Sequence, residues 1–427
     1  MNALLFDRRA LPLALALLTL AGAPPTARAA GPPVQLVETV PIESGLGNPA
    51  LPSAKDVWLE MIRGAKRSLD LEEFYLSTWP GEPMEPVLVA IGEAAKRGVR
   101  VRLLLDAGMH RTYPLPADSL GKLRDIEVRL IDMGRIAGGV QHAKYFMVDR
   151  AEVYLGSQNT DWRALEHIHE LGVRVRDARV AAEFQRVFDM DWIAAGAGLD
   201  SMQLARHPMA VAPSGPPSFR IVQAPRDTVE LWPSYSPGRF IPDSTRWDRD
   251  AIVRLLDSAR GEIVVQLLTY SPTSRRQEER AIDDALRRAA ERGVSVKLLI
   301  SDWEKGTGGM ASLQSLAKVG QVEVKLSTVP EWSGGYIPFA RVEHCKYAVV
   351  DTQRVWVGTA NWEPGYFLGT RNVAVTLANR PLATQARTIF QQSWTAPGAA
   401  PVVADSASYT PKVRGETPPP GRKKYGG

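Results

Sequence analysis

Cysteine is almost missing from this chain. Cys345 stands alone among 427 residues, so no internal disulfide can form. A single thiol in an exported chain suits the bacterial periplasm or the outside medium, where unpaired cysteines are a liability. Long hydrophobic runs are also scarce. The apolar stretch from Ala10 to Ala23 is too short to span a bilayer comfortably, and nothing after it reads as transmembrane. Arg8 and Arg9 precede that stretch and Ala27, Ala29 and Ala30 follow it, the order of basic head, apolar core and small-residue cleavage site expected of a secretory signal peptide over residues 1–30. An uncleaved membrane anchor is the competing reading. Charge of one sign is in short supply too. The formal net charge is +5, and Asp7, Arg8, Arg9 and Arg28 supply +2 of it, leaving +3 for the mature chain. So mild an excess suits an anionic substrate without requiring one. What remains is ordinary globular composition, 44% hydrophobic and 23% charged, long enough for two or three domain-sized units.

The chain is written twice. Residues 94–106 read AAKRGVRVRLLLD and residues 289–302 read AAERGVSVKLLISD, each the end of a helix, a glycine stop (Gly98, Gly293) and a buried strand. Upstream, the strand from Ser68 to Tyr75 parallels the one from Gly261 to Tyr270, and both pairs stand 195 residues apart. Each half alternates helices with apolar strands, which predicts an α/β fold of two similar lobes, each a mixed sheet flanked by helices. The first lobe is expected over 34–195 and the second over 218–397. A Pro- and Gly-rich linker over 196–217 joins them, and a disordered tail follows over 398–427.

Near the end of each half lies the same chemical pattern. Residues 142–149 read HAKYFMVD and are followed by Gly156-Ser157-Gln158-Asn159; residues 344–351 read HCKYAVVD and are followed by Gly358-Thr359-Ala360-Asn361. On a strand, His142 and Lys144 share one face, as do His344 and Lys346, so each pair can enter a common cleft. Lysine is a good phosphate partner as a point charge. The following turn offers a hydroxyl (Ser157, Thr359) and an amide (Asn159, Asn361) to phosphate oxygens. Asp149 and Asp351 lie too far along the strand for that cleft and are expected to brace the structure. A lone His-x-Lys is ordinary surface decoration; two copies at matched internal spacing are not. Cys345 is expected to face away from the cleft as a packed side chain. Trp162 and Trp362, after the asparagines, read as core buttresses.

At these residues the chain resembles the phospholipase D superfamily, whose signature is H-x-K-x4-D followed by G-S-x-N; here the second copy has Thr359 for serine. The segments GSQNTDWRALEHIHE (156–170), IPFARV (337–342) and GTANWEPGYF (358–367) are similar to the animal phospholipase-D-like 5′-exonucleases and the poxvirus envelope phospholipases. This chain lacks the disulfides of the animal enzymes. The resemblance implies two lobes related by a pseudo-twofold axis, with both motifs in one active site. It also implies phosphodiester cleavage through a covalent phosphohistidine, with no cofactor and no metal. The implied catalytic set is His142, Lys144, Asn159, Glu170, His344, Lys346 and Asn361, supported by Asp149, Ser157, Asp351 and Thr359. His142 is assigned as nucleophile and His344 as general acid. That order follows family habit and Glu170, an acid expected to orient a catalytic histidine, where the second half offers Asn372.

The expected partner is a phosphodiester, phospholipid or single-stranded nucleic acid, met by a monomer with room for peripheral membrane contact. Tyr75, Tyr270 and Trp332 are candidate substrate contacts. Three other readings stay open: a non-catalytic envelope protein that binds lipid or nucleic acid, a phosphatidyltransferase, and a metal site. Glu166-His167-Ile168-His169-Glu170 places four possible metal ligands in five residues, although His167 and His169 share a face only on a strand.

Overall fold

A computed structural model describes residues 31–198, 203, 215–274, 277–406 and 409–425. The expected signal peptide and most of the expected linker lie outside these residues. No helix among the described residues is long and apolar enough to cross a membrane.

Each half builds one mixed sheet. The first has seven strands in the order Val34–Thr39, Glu170–Val175, Glu152–Gly156, Tyr145–Val148, Ser68–Glu73, Arg100–Asp106 and Ile126–Ile131. The second repeats this order with Asp227–Ser236, Asn372–Ala378, Arg354–Gly358, Tyr347–Val350, Glu262–Leu267, Ser295–Ser301 and Val322–Ser327. It gains one edge strand on each side, Phe219–Ala224 and Ala399–Pro401, for nine in all. In both sheets the last three shared strands run parallel, as helix crossovers require, and the motif strand joins them antiparallel. Gly98 and Gly293 stop their helices at φ 85°, a conformation that costs other residues a Cβ clash. The lobes share their largest core. Helix Ala178–Ala197 and helix Arg380–Thr395 pack Phe184, Phe188, Ile389 and Phe390 together with inner-face residues of both sheets, such as Val153 and Val355. The outer faces are covered separately, the first around Trp58, Met61 and Ile91, the second around Leu256, Leu286 and Leu313.

Three expectations change. Helix Ala178–Ala197 carries the first lobe two residues past the expected boundary. The C-terminal segment described here is not a disordered tail. Ala399–Pro401 pairs with Val322–Ser327, and the chain then crosses to the 336–341 loop. There the Phe339 N–H donates to Arg414 O (2.8 Å), Tyr336 N–H to Lys423 O (2.9 Å) and Tyr425 N–H to Tyr336 O (2.9 Å). The Tyr425 hydroxyl donates to Glu82 at 2.7 Å. Composition hid this because the anchors are backbone pairs and isolated aromatics rather than a periodic apolar face. Third, the upstream strand pair is offset by 194, while the strands after Gly98 and Gly293 keep the expected 195. Glu72 pairs with Tyr145 as Gln266 pairs with Tyr347, and Leu76 pairs with Thr160 where Tyr270 bridges to Trp362. Tyr75 therefore corresponds to Thr269, and a one-residue slip turns Tyr270 to the opposite face.

Candidate active site

The two motif strands start where the lobes meet, and each lobe holds the other's histidine. The His142 N–H donates to Arg371 O (3.0 Å) and the His344 N–H to His169 O (2.9 Å). Gln141 bridges to Arg371, and Glu343 bridges to His169. Side chains tie down the same seam. Arg371 donates to both oxygens of Asp191, at 2.6 and 2.8 Å, with neither residue exposed. His169 sits between Glu343 and Glu38, each 2.8 Å from a ring nitrogen. Against the cost of burial, Glu343 and then Glu38 push its imidazole up to about 10, so it is a cation at neutral pH.

His142 and His344 are both mostly buried, and Lys144 and Lys346 almost completely so. Each lysine curls back to donate to the carbonyl of its own histidine, Lys144 to His142 O at 2.6 Å and Lys346 to His344 O at 2.7 Å. Burial, with Lys346 close by, pushes the Lys144 ammonium down; burial brings Lys346 down to about 8 against the pull of Glu170. Burial and the two lysines also hold both imidazoles below the usual histidine range. The site thus concentrates positive charge that an anionic phosphodiester would relieve, and keeps imidazole nitrogen available for attack.

The orienting partners cross the seam, which corrects the expected assignment. Glu170 does not serve His142. Its Oε2 lies 2.8 Å from His344 Nδ1, while His142 Nδ1 meets Asn372 Oδ1 at 3.1 Å. The residue after each motif reaches the opposite lobe's histidine because the last strand of each half runs into the bridge at His169 or Arg371. Burial pushes the Glu170 carboxyl up, and burial with Lys346 and Lys144 pushes the His344 imidazole down.

The hydroxyls are not phosphate donors. Ser157 Oγ donates to Leu171 O (3.2 Å) and accepts from Leu171 N–H (3.0 Å); Thr359 Oγ1 donates to Asn372 Oδ1 (3.0 Å) and accepts from Val373 N–H (3.1 Å). Both are fully buried and fix the strands that carry Glu170 and Asn372. The Asn159 and Asn361 Oδ1 atoms are buried without a partner in the protein, and Asn361 Nδ2 donates to the Tyr366 hydroxyl at 3.0 Å. Asp149 accepts from the N–H groups of Lys66, Arg67 and Ser68, and Asp351 from those of Arg260, Gly261 and Glu262, bracing the loops before the paired strands as expected. Cys345 is fully buried in the shared core.

Three residues at the site escaped the sequence reading. Phe74 packs its ring 4.9 Å from His142 and lies 5.1 Å under Lys144 Nζ. Tyr366 meets the other side of His142 at 5.1 Å. Glu73 is buried and pushed up by that burial, against the pull of the nearby Lys144 ammonium. The available signal was position: Glu73 and Phe74 end a parallel strand, where open α/β sheets place their sites. Tyr75 is half-buried, next to Phe74 and stacked on Tyr113 at 5.0 Å. Tyr270 is buried in the core with its hydroxyl on Asp283, so it is no substrate contact. The Trp332 ring is taken up by His167 and Tyr425, at 4.7 and 4.9 Å.

Among the described residues two clusters gather metal-type ligands, His169–Glu343–Cys345 and Glu82–Glu166–His167. In the first, both His169 nitrogens are already committed to carboxylates. Neither contains His142 or His344, and Glu170 belongs to His344.

Paired histidines over a buried lysine pair, joined across a duplicated α/β scaffold, define a class of phosphodiester-cleaving proteins. The family model described as "Cardiolipin synthase, PLD-like domain" matches residues 58–192 and 252–394. The chain belongs to the phospholipase D superfamily and is a phospholipase-D-like phosphodiesterase. It is 30% identical to phospholipase D Z of Dictyostelium discoideum, over 87% of this chain and 91% of that protein. It is 32% identical to the 5′-3′ exonuclease PLD3 of Rattus norvegicus, over 85% of this chain and 79% of that one. The phosphatidylserine synthase of Haemophilus influenzae shares the fold, with a TM-score of 0.60 and 14% identity over 81% of this chain and 84% of its own.

Proposed function

We propose that this protein hydrolyses phosphodiester bonds of single-stranded nucleic acid without a metal, through a phosphohistidine on His142. The observation that carries the chemistry is the unlike support of the two histidines. Glu170 accepts from His344 Nδ1 and so stabilises the imidazolium a general acid needs against the opposing burial and lysines, whereas neutral Asn372 leaves His142 Nδ1 protonated and its Nε2 lone pair free. His142 Nε2 attacks phosphorus, and the bond to the leaving oxygen breaks as that oxygen takes the His344 proton. Water then attacks the phosphohistidine, giving its proton to His344 as the P–N bond breaks. Lys144 and Lys346 offset the charge on the non-bridging oxygens throughout.

The nucleic-acid preference is supported by aromatic rings leading away from His142: Phe74, then Tyr75, then Tyr113. They reach a pocket of about 350 Å³ lined by Trp79, Tyr113, Trp162 and Tyr425, whose polar edge holds Arg163, paired with Asp161, and Lys424, paired with Glu416. Flat rings suit stacked bases better than acyl chains. The likeness to phospholipase D Z favours a lipid as the second reading. The apolar run between basic and small residues in 1–30 supports export, and both motifs on one chain support a monomer. The test is a parallel assay in chelator with 5′-hydroxyl single-stranded DNA and phosphatidylcholine. Cleavage of DNA is expected; turnover of the lipid alone would transfer the reading to a phospholipase.

A further inference from the structure

The pole of the second lobe opposite the cleft carries a depression of about 890 Å³ that the catalytic reading does not use. Arg220, Arg226, Arg260, Arg354 and Arg380 all line it, and all five are exposed. None of them forms an ion pair within 4.0 Å among the described residues; the Arg354 guanidinium donates to the Ser258 hydroxyl at 2.9 Å and helps hold the nearby Asp351 carboxyl down. The two acids in the lining are already engaged. Asp351 takes three backbone N–H groups, and Asp227 accepts from the Asn379 amide at 2.6 Å. The depression lies at the far end of the motif strand, five residues beyond Lys346 and so about 16 Å along the sheet.

The duplicated fold supplies its own control. Glu152 pairs with Val148 in the first sheet as Arg354 pairs with Val350 in the second. Asp177 caps the helix after the last strand of the first lobe, and Asn379 caps its counterpart. In the first lobe this pole is neutralised: Glu152 holds Arg174 at 2.7 Å and Asp177 holds Arg179 at 2.6 Å. In the second lobe both acids are gone, Arg354 stands where Glu152 was, and Arg380 replaces Ala178. A surface that merely needed solvating had a balanced solution available in the same chain. Clustered guanidinium groups repel one another, and a fork-shaped donor set matches phosphate oxygens.

We infer that this arginine depression is a binding site for a compact, phosphate-dense anion, either a free oligophosphate or a lipid headgroup bearing several phosphates. No aromatic ring lines it, so it offers bases nothing to stack on. The site is independent of the catalytic proposal. Calorimetry on the full chain with sodium tripolyphosphate, and flotation with vesicles containing a bisphosphorylated inositol lipid, separate the two sources. Arg226→Ala/Arg380→Ala should weaken whichever ligand binds by at least about tenfold. It should leave hydrolysis of bis(4-nitrophenyl) phosphate, and its inhibition by tripolyphosphate at the cleft, unchanged, which reports an intact fold. An Arg176→Ala variant at the first-lobe pole should bind as wild type. The inference is overturned if neither ligand binds outside the cleft, if the double variant binds as wild type, or if single-stranded DNA alone occupies the arginines.

Discussion

Replacing Glu170 by Gln keeps the volume of the residue that orients His344 and removes its charge. The contact is 2.8 Å long and Glu170 is fully buried, so water cannot substitute for it. A hydrogen bond to a charged group of this kind contributes about 1.5–3 kcal/mol, or about 1–2 pKa units on the imidazole. The acid step should therefore slow by about 10- to 150-fold for a substrate with an alkoxide leaving group. The limb on which His344 loses its proton should move down by the same 1–2 units, because the imidazolium has lost its counter-charge, while the separate decline set by Lys346 stays in place. Asn372→Ala removes only a neutral contact to His142, worth about 0.5–1.5 kcal/mol, and should cost about 2- to 12-fold. A 4-nitrophenyl diester sharpens the comparison, since nitrophenolate leaves without an acid. Glu170→Gln should keep a rapid burst of nitrophenolate and then turn over slowly, whereas Asn372→Ala should lose part of the burst. If Glu170→Gln abolishes the burst and Asn372→Ala spares it, the nucleophile is His344 and the reasoning fails.

Other outcomes follow from the seam between the lobes and from the lysine pair. Asp191→Ala should destabilise by about 3–5 kcal/mol in urea denaturation by stranding the buried Arg371, and adding Arg371→Met should recover most of that loss. The His169 imidazolium has its pKa raised to about 10, so its contribution is complete below about pH 6.5 and disappears as pH rises through about 10. Thermal midpoints should fall across that window by an amount corresponding to a few kcal/mol, and His169→Gln should flatten the fall. Burial brings Lys346 down to about 8, so kcat/KM should decline above about pH 8; Lys346→Arg should carry that limb upward.

The duplicated motif was legible because period-two strand geometry puts histidine and lysine on one face at fixed spacing. The same spacing predicted the bracing role of Asp149 and Asp351, and the repeated helix–glycine–strand segments at 94–106 and 289–302 predicted the lobes and their mixed sheets. Tyr270 was misplaced because a matched tyrosine suggested the offset, while strand pairing, a long-range property, sets the true register one residue away. Glu170 was chosen as an orienting acid, but its target depends on how the lobes dock, and spacing within one half cannot report a contact to the other. Ser157 and Thr359 looked like phosphate donors because the motif carries them next to the asparagines; in the fold their hydroxyls complete neighbouring strands. The C-terminal segment lacks periodicity, and it is ordered by pairing with a loop distant in sequence.

The central claim is a covalent phosphate on His142, formed without metal and released by His344. It is tested most directly by quenching the His344→Ala chain after exposure, in chelator, to a labelled 4-nitrophenyl phosphodiester, then locating the label by peptide mass spectrometry. The account predicts a base-stable, acid-labile adduct on His142, near one per chain, that water clears only slowly. Label on another residue, or none while wild-type turnover needs added metal, would contradict it.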